Sequence, residues 1–390
     1  MKVSVAADIF LRPAPGERSI WALSDRVPHL LVALTAHGFG HAAMTAPVVN
    51  ALADKLPAFR LTLQSNHPKD FLSERFKVPF ERIPGDDDFG LMMLSATRID
   101  LNETAEAYRR LHDRLEAAVG QQADRMRDLG VDFVLSNIGY VPLLAAQKAG
   151  IPAMALSCLN WADIYGHYFS HRPEAAAVQA DMLAGYRSAA TFLQPAPAMP
   201  MPRLSNGRPI GPIAAIAGGD RTAIRRHLGV EAGMRLGLIA FGGVESGLAL
   251  RNWPRLEGWR WLIAENPEGH PDMVVLNRAE LDFTDALGSS DVVVTKPGYG
   301  TFSEAAVNGV PVLFVPRPDW PENPHLVDWL TERGKCLPIR ADDLLNPDIL
   351  KKQLHMLFSC RARPLVMPDG AEEGAVALCG ALRVTGCLRK

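Results

Sequence analysis

The sequence predicts an α/β protein built from two Rossmann-like domains with a cleft between them, and three observations carry that prediction. Apolar β-branched runs alternate with helix-like segments along most of the 390 residues, the pattern of parallel sheets covered by helices. The proline-rich stretch Pro195–Pro212 separates an earlier alternating series from a later one. The segment Asp291–Pro316, DVVVTKPGYGTFSEAAVNGVPVLFVP, compresses strand, glycine turn, short helix and second strand into one unit.

In chain order, Met1–Asp25 reads as an extension, since Pro13, Pro15 and Gly16 interrupt any regular element. Leu30–Thr35 is an apolar strand entering the turn Ala36–His41, and Arg60–Gln64 is the next strand. Asn102–Leu129 is predicted as one long helix starting at a good cap, followed by strand Val131–Ser136, helix Val141–Ala149 stopped by Gly150, and strand Pro152–Leu156. The second series opens with helix Arg221–Leu228 and strand Leu236–Phe241, turns at Gly242–Gly243, and continues with strand Met273–Leu276. A last helix, about Ala371–Leu382, is placed to pack back on the first domain. The predicted domains are therefore 26–200 and 201–370, preceded by the extension 1–25 and followed by the helical tail 371–390.

Composition narrows the function classes. A hydrophobic content of 48% with 22% charged residues is globular, and Lys+Arg 41 against Asp+Glu 43 leaves no basic excess to advertise nucleic acid. The five cysteines lack the paired spacings of zinc sites, which predicts reduced thiols in a cytoplasmic protein; no metal or cofactor is expected. No segment reads as a transmembrane helix or export signal; peripheral contact with a membrane carrying a lipid acceptor is compatible with the sequence.

The chemistry concentrates in the unit Asp291–Pro316. Its glycines allow close backbone approach at the start of a helix, where free N–H groups and the helix dipole favour an anion. KPGYGTFSEAAVNGVPVLFVP resembles the donor-binding signature of GT-B glycosyltransferases, in particular the N-acetylglucosaminyltransferases of peptidoglycan synthesis and the glycosyltransferase-like half of L-arabinokinases. The resemblance implies that Gly298, Tyr299, Gly300 and Thr301 hold the diphosphate of a nucleotide sugar and that Glu304 takes the ribose hydroxyls. A plain alternative stands beside the last role, because Thr301-x-x-Glu304 is also a capping box. Lys296 is a candidate for added positive charge, or an ordinary solvated lysine beside a turn.

Three loops should converge at the carboxyl ends of the two sheets. The first, TAHGFGHA, carries His37, Gly38, Gly40 and His41, and matches the glycine-rich opening loop of the same families. It also fits a loose dinucleotide fingerprint, but the strand Arg60–Gln64 ends in Ser65, Asn66 and His67 without the acidic residue that fingerprint expects. His41 is the candidate general base. Gly242 and Gly243 form a second backbone cradle or a plain tight turn. In PDWPENPH, the resemblance sets Glu322, Asn323 and His325 against the donor sugar, although Leu326 stands where the N-acetylglucosamine enzymes usually carry glutamine.

Asp86-Asp87-Asp88-Phe89-Gly90, then Asp100, Glu103 and Thr104, is similar to a pattern in the arabinokinase-like branch. It makes Asp88 and Asp100 candidates to touch substrate or orient His41, against a solvated loop and a helix cap as plain readings. SCLNWADIYGHYFS concentrates rings on the acceptor side, with Trp161, Tyr165 and Asp163 singled out and Asp163 expected to pair with a histidine; core packing is the alternative for each ring. Together the expectation is a metal-independent, inverting transferase moving a sugar from a nucleotide diphosphate donor, UDP-linked by resemblance, to a small or lipid-linked hydroxyl acceptor. A nucleotide-sugar epimerase or hydrolase on the same fold, or a binding subunit without catalysis, is the alternative.

Overall fold

The computed structural model describes residues 27–56, 58–85, 89–95, 98–241, 250–264, 269–279 and 281–384. The predicted extension 1–25 and the candidates Asp88, Gly242 and Gly243 lie outside the described residues.

Two sheets form the frame. The first contains β1 (His29–Leu34), β2 (Arg60–Gln64), β3 (Glu81–Ile83), β6 (Phe133–Asn137), β7 (Ala153–Leu156), β8 (Phe192–Pro195) and β9 (Gly207–Ile210), in the order β3-β2-β1-β6-β7-β8-β9. Between β3 and β6 the chain makes a separate antiparallel pair, β4 (Met93–Ser95) with β5 (Arg98–Ile99). The second sheet contains β10 (Arg235–Ala240), β11 (Trp259–Ile263), β12 (Met273–Val275), β13 (Val292–Thr295), β14 (Val312–Phe314) and β15 (Cys336–Pro338), in the order β12-β11-β10-β13-β14-β15. Every pairing in both large sheets is parallel. Strands β1, β6 and β13 are buried at every position, as parallel strands covered on both faces must be.

Register then fixes which loops meet. Leu34 pairs with Asn137 at the ends of β1 and β6, so Asn137 lies level with the glycine loop that follows β1. In the second sheet Thr295 pairs with Phe314, which sets the turn after β13 beside the loop after β14.

The structure departs from the predicted elements in two places. The helix expected over Asn102–Leu129 is two helices, Leu101–His112 and Leu115–Leu129. The break falls where His112 is drawn sideways into bonds with Asp181 at 3.1 Å and the Tyr140 hydroxyl at 2.9 Å, a tertiary demand that helix propensity cannot anticipate. The proline-rich stretch is not all linker, because Gly207–Ile210 is the edge strand β9 of the first sheet. Pro209, lacking an N–H, is tolerated at that edge, and the first sheet runs beyond the predicted 200/201 boundary.

The last helix, Gly370–Val384, lies on helix Gly40–Ala53, which carries His41 at its amino end. Lys55 pairs with Glu372, and the Glu373 carboxylate accepts from the Gly211 N–H at 2.7 Å. Gly374 is the close-approach point: a Cβ there would sit 3.1 Å from Val48 Cγ1. Gly374→Leu is expected to lower stability by about 1–3 kcal/mol through overpacking, seen as a lower urea midpoint with an unchanged slope. A midpoint at or above that of the parent protein would show that this contact does not hold the two helices together.

Candidate functional site

The first wall of the cleft is built by the glycine loop. Strand β1 ends at Leu34, Gly38 turns the chain at φ 75°, and helix Gly40–Ala53 begins without a side-chain cap. His41 is thereby set at the head of the helix, buried, with Nδ1 2.9 Å from Asn137 Oδ1. The Asn137 amide also donates to Thr45 Oγ1 at 2.8 Å. With its amide nitrogen so engaged, its carbonyl accepts from His41 Nδ1–H, which leaves Nε2 as the basic nitrogen. Burial holds the His41 pKa down at about 4, with the Asn137 bond pulling upward and His67 downward. His37 is likewise lowered to about 4, by burial first and then by His41.

Trp161, expected on the acceptor side, is 1% exposed and packs as core behind this wall. Asn160 caps its helix by accepting from the Asp163 N–H at 2.9 Å, and the indole meets the rings of His37 and His41 at centroid distances of 5.6 and 6.0 Å. Gly90, at φ 67°, passes so close that a Cβ would lie 2.8 Å from the indole. Only glycine satisfies both the backbone angle and the space.

The second wall is the turn after β13. Helix Tyr299–Val307 has Gly298 as its N-cap and no side-chain cap bond, so side chains leave its first-turn N–H groups open. A Cβ on Gly300 would meet nothing within 4 Å, and the same holds for Gly40 on the facing loop. Thr301 lies inside the helix rather than at its cap, which removes the capping-box reading of Thr301 and Glu304. Glu304 is half-buried, and among the described residues no hydrogen bond satisfies its carboxylate. Burial and the Asp282 carboxylate push its pKa up to about 7, against a downward pull from Arg75 of the first domain. Burial, then Arg317, lowers Lys296 to about 8.

Several candidates have structural partners instead. Tyr299 is buried, and its hydroxyl accepts from the Ile213 N–H at 2.9 Å, so its ring is scaffold. Asp100 caps helix Leu101–His112 by accepting from the Glu103 N–H at 2.9 Å, and the group that orients His41 is Asn137. Asp163 pairs with Arg203 at 2.5 Å rather than with a histidine. Tyr165 is 1% exposed, packed against Tyr108 and Phe169 in the core. In the loop after β14, both Glu322 oxygens are engaged, Oε1 by the Cys158 thiol at 3.0 Å and Oε2 by the Trp320 indole at 3.2 Å. The Asn323 amide donates to the Arg317 carbonyl while its oxygen is buried without a partner. His325, half-buried one turn into the next helix, makes no hydrogen bond among the described residues.

Sequence reasoning missed Asn137, Arg317 and the Cys158–Glu322 contact. Asn137 carried a signal, a polar residue ending a mostly apolar strand two residues before a glycine; the cross-cleft pair is separated by 164 positions and carried none. Among the described residues no group of three or more His, Cys, Asp or Glu side chains could hold a metal ion. No described helix is long and apolar enough to cross a membrane.

Residues 277–377 match the glycosyltransferase family 28 C-terminal domain. The chain is 27% identical over 352 residues to L-arabinokinase of Arabidopsis thaliana, covering 83% of this chain and 31% of that protein. It thus spans about a third of that relative's length. An uncharacterized glycosyltransferase of Methanopyrus kandleri is 25% identical over 284 residues, covering 67% of this chain and 80% of that one. Among solved structures, the kitacinnamycin glycosyltransferase superposes with a TM-score of 0.57 at 18% identity, covering 93% of this chain and 96% of that one. A putative UDP-N-acetylglucosamine 2-epimerase from Listeria monocytogenes does so with 0.54 at 16% identity, covering 91% and 95%. The fold is GT-B, as expected; at these identities the superpositions speak to fold alone.

Glu304 makes a stability prediction. A carboxyl whose pKa rises on folding costs stability as pH climbs from its unfolded value of 4.5 through its folded value of about 7, and costs none below both. Glu304→Gln is therefore expected to stabilise the unliganded protein by about 1–3 kcal/mol at about pH 8 and to change little at about pH 5. Equal effects at both pH values would mean that the carboxylate is not strained by its surroundings.

Proposed function

We propose that this chain, on the strength of its match to the glycosyltransferase family 28 C-terminal domain over residues 277–377 and its GT-B fold, is a glycosyltransferase that moves a sugar from a nucleoside diphosphate, uridine by resemblance, to an acceptor hydroxyl with inversion and without a metal. The observation that carries it is the pairing of a neutral histidine, held through Nδ1 by Asn137, with a glycine-flanked helix start that has no side-chain cap. His41 Nε2 takes the acceptor proton as the acceptor oxygen bonds to the anomeric carbon. The bond from that carbon to the diphosphate oxygen breaks on the opposite face, which inverts the centre. The departing diphosphate is received by the first-turn N–H groups of helix Tyr299–Val307, with Lys296 adding positive charge.

Glu304 is assigned the ribose hydroxyls, which would satisfy its unpartnered carboxylate. The first-domain loops around the His37–His41 turn are assigned to the acceptor, and His325 to the sugar. The four described cysteines are free thiols, which fits the cytoplasm, where we place the protein.

The test is release of nucleoside diphosphate from a panel of nucleotide sugars, with and without hydroxyl acceptors. Release that never depends on an acceptor indicates a hydrolase. Sugar isomerisation without release indicates an epimerase, and binding without turnover a non-catalytic subunit; each outcome overturns the transferase reading. His41→Ala is expected to lower kcat by about a hundredfold to ten-thousandfold while donor affinity holds. In the parent protein kcat should stay level as pH falls until it nears the His41 value of about 4, because the base must be unprotonated to act. A parallel loss of donor affinity in His41→Ala, or a kcat left near the parent value, would remove His41 from the base role.

A further inference from the structure

Beside the turn after β13 and the loop after β14, two cations, Lys296 and Arg317, share one acting carboxylate. Arg317 follows β14, with its guanidinium carbon 4.3 Å from the centroid of the Trp320 ring and its Nε buried without a partner. Its loop is fixed, because the Arg317 carbonyl accepts from both the Trp320 N–H at 3.1 Å and the Asn323 amide. Trp320 in turn stacks on His37 of the first domain, with centroids 6.3 Å apart and planes 5° apart. Lys296 directly follows the neighbouring strand β13, feels the charge of Arg317 and acts on His37. Neither Lys296 nor Arg317 makes an ion pair among the described residues.

Glu322 is the carboxylate that acts on both cations, yet Cys158 and Trp320 already occupy its two oxygens. One spoken-for negative charge against two cations leaves an excess. Burial lowers the pKa of both cations, and Arg317 lowers that of Lys296 further, as expected for like charges held together out of water. Such an arrangement is relieved when an anion arrives. The diphosphate already has the helix start at Gly298–Gly300 to receive it. The planar guanidinium, one strand over, is shaped for a carboxylate, which it can bind through two parallel hydrogen bonds.

We propose that Arg317 and Lys296, beside His37, recognise a carboxylate on the transferred sugar, so that the donor is a nucleotide-linked uronic acid. This rests on the glycosyl-transfer reading above. Dissociation constants for UDP, UDP-glucose and UDP-glucuronate on the parent protein, Arg317→Gln and Lys296→Met test it. The parent should bind UDP-glucuronate about tenfold or more tightly than UDP-glucose. Arg317→Gln should erase that preference and leave the affinity for UDP unchanged, with Lys296→Met reducing the same preference should Arg317→Gln fail to fold. Equal binding of the two sugars by the parent overturns the proposal. So does an equal loss for all three ligands in Arg317→Gln, or, in Lys296→Met, a common loss with the glucuronate preference intact, since Lys296 also faces the diphosphate; either would leave that cation to the diphosphate. If the protein takes another nucleoside diphosphate, that compound and its glucose and glucuronate conjugates replace the uridine set. Failure of every nucleotide to bind, by contrast, sinks the glycosyl-transfer reading and this proposal with it.

Discussion

Parallel strand pairing is the constraint on which the rest of the molecule depends. A parallel strand must return by a crossover before it can pair again, so every strand of a sheet ends on the same edge. The loops after β1, β6 and β7 in the first sheet, and after β13 and β14 in the second, gather there. Side chains with unusual electrostatics sit on these loops or in the first two turns of the helices that follow: His37, His41, Lys296, Glu304 and Arg317. The scaffold buries its strands on both faces and puts its polar chemistry where they stop.

Burial is the common cause of those shifts, and it acts with opposite sign on acids and bases. It drives His41 to about 4 and Lys296 to about 8, and raises Glu304 to about 7. Each shift is toward the neutral form, which His41 reaches near neutral pH while Lys296 stays mostly charged. A neutral imidazole is what a general base requires, whereas a desolvated carboxyl and a desolvated pair of cations are groups waiting for partners. The site is thus held at some expense to stability, the usual relation between a rigid fold and a reactive cleft.

The two halves also touch across the cleft in a specific way. Cys158 donates to Glu322, Trp320 stacks on His37, and the Tyr168 hydroxyl donates to the Asp319 carbonyl. These contacts occupy groups that a linear reading would assign to substrate, Glu322 above all. Helix Gly370–Val384 adds a further tie by returning to helix Gly40–Ala53, so the histidine helix is braced from the end of the chain as well as from its own sheet.

By itself the sequence determined the α/β class, the two alternating series, the glycine turns and the helix that returns to the first domain, because period, breaker residues and turn chemistry are local. Strand Arg60–Gln64 appears as read, and helix Tyr299–Val307 follows its glycine turn. Only the tertiary structure decided which polar residues are free. Asn137 reaches His41 because parallel register sets Leu34 opposite Asn137. Asp100 turned inward to cap a helix, Asp163 went to Arg203, and Glu322 was claimed by a thiol from the other half of the chain. A buried polar group must find a partner somewhere, and that partner's position along the chain is invisible until the sheets bring the loops together.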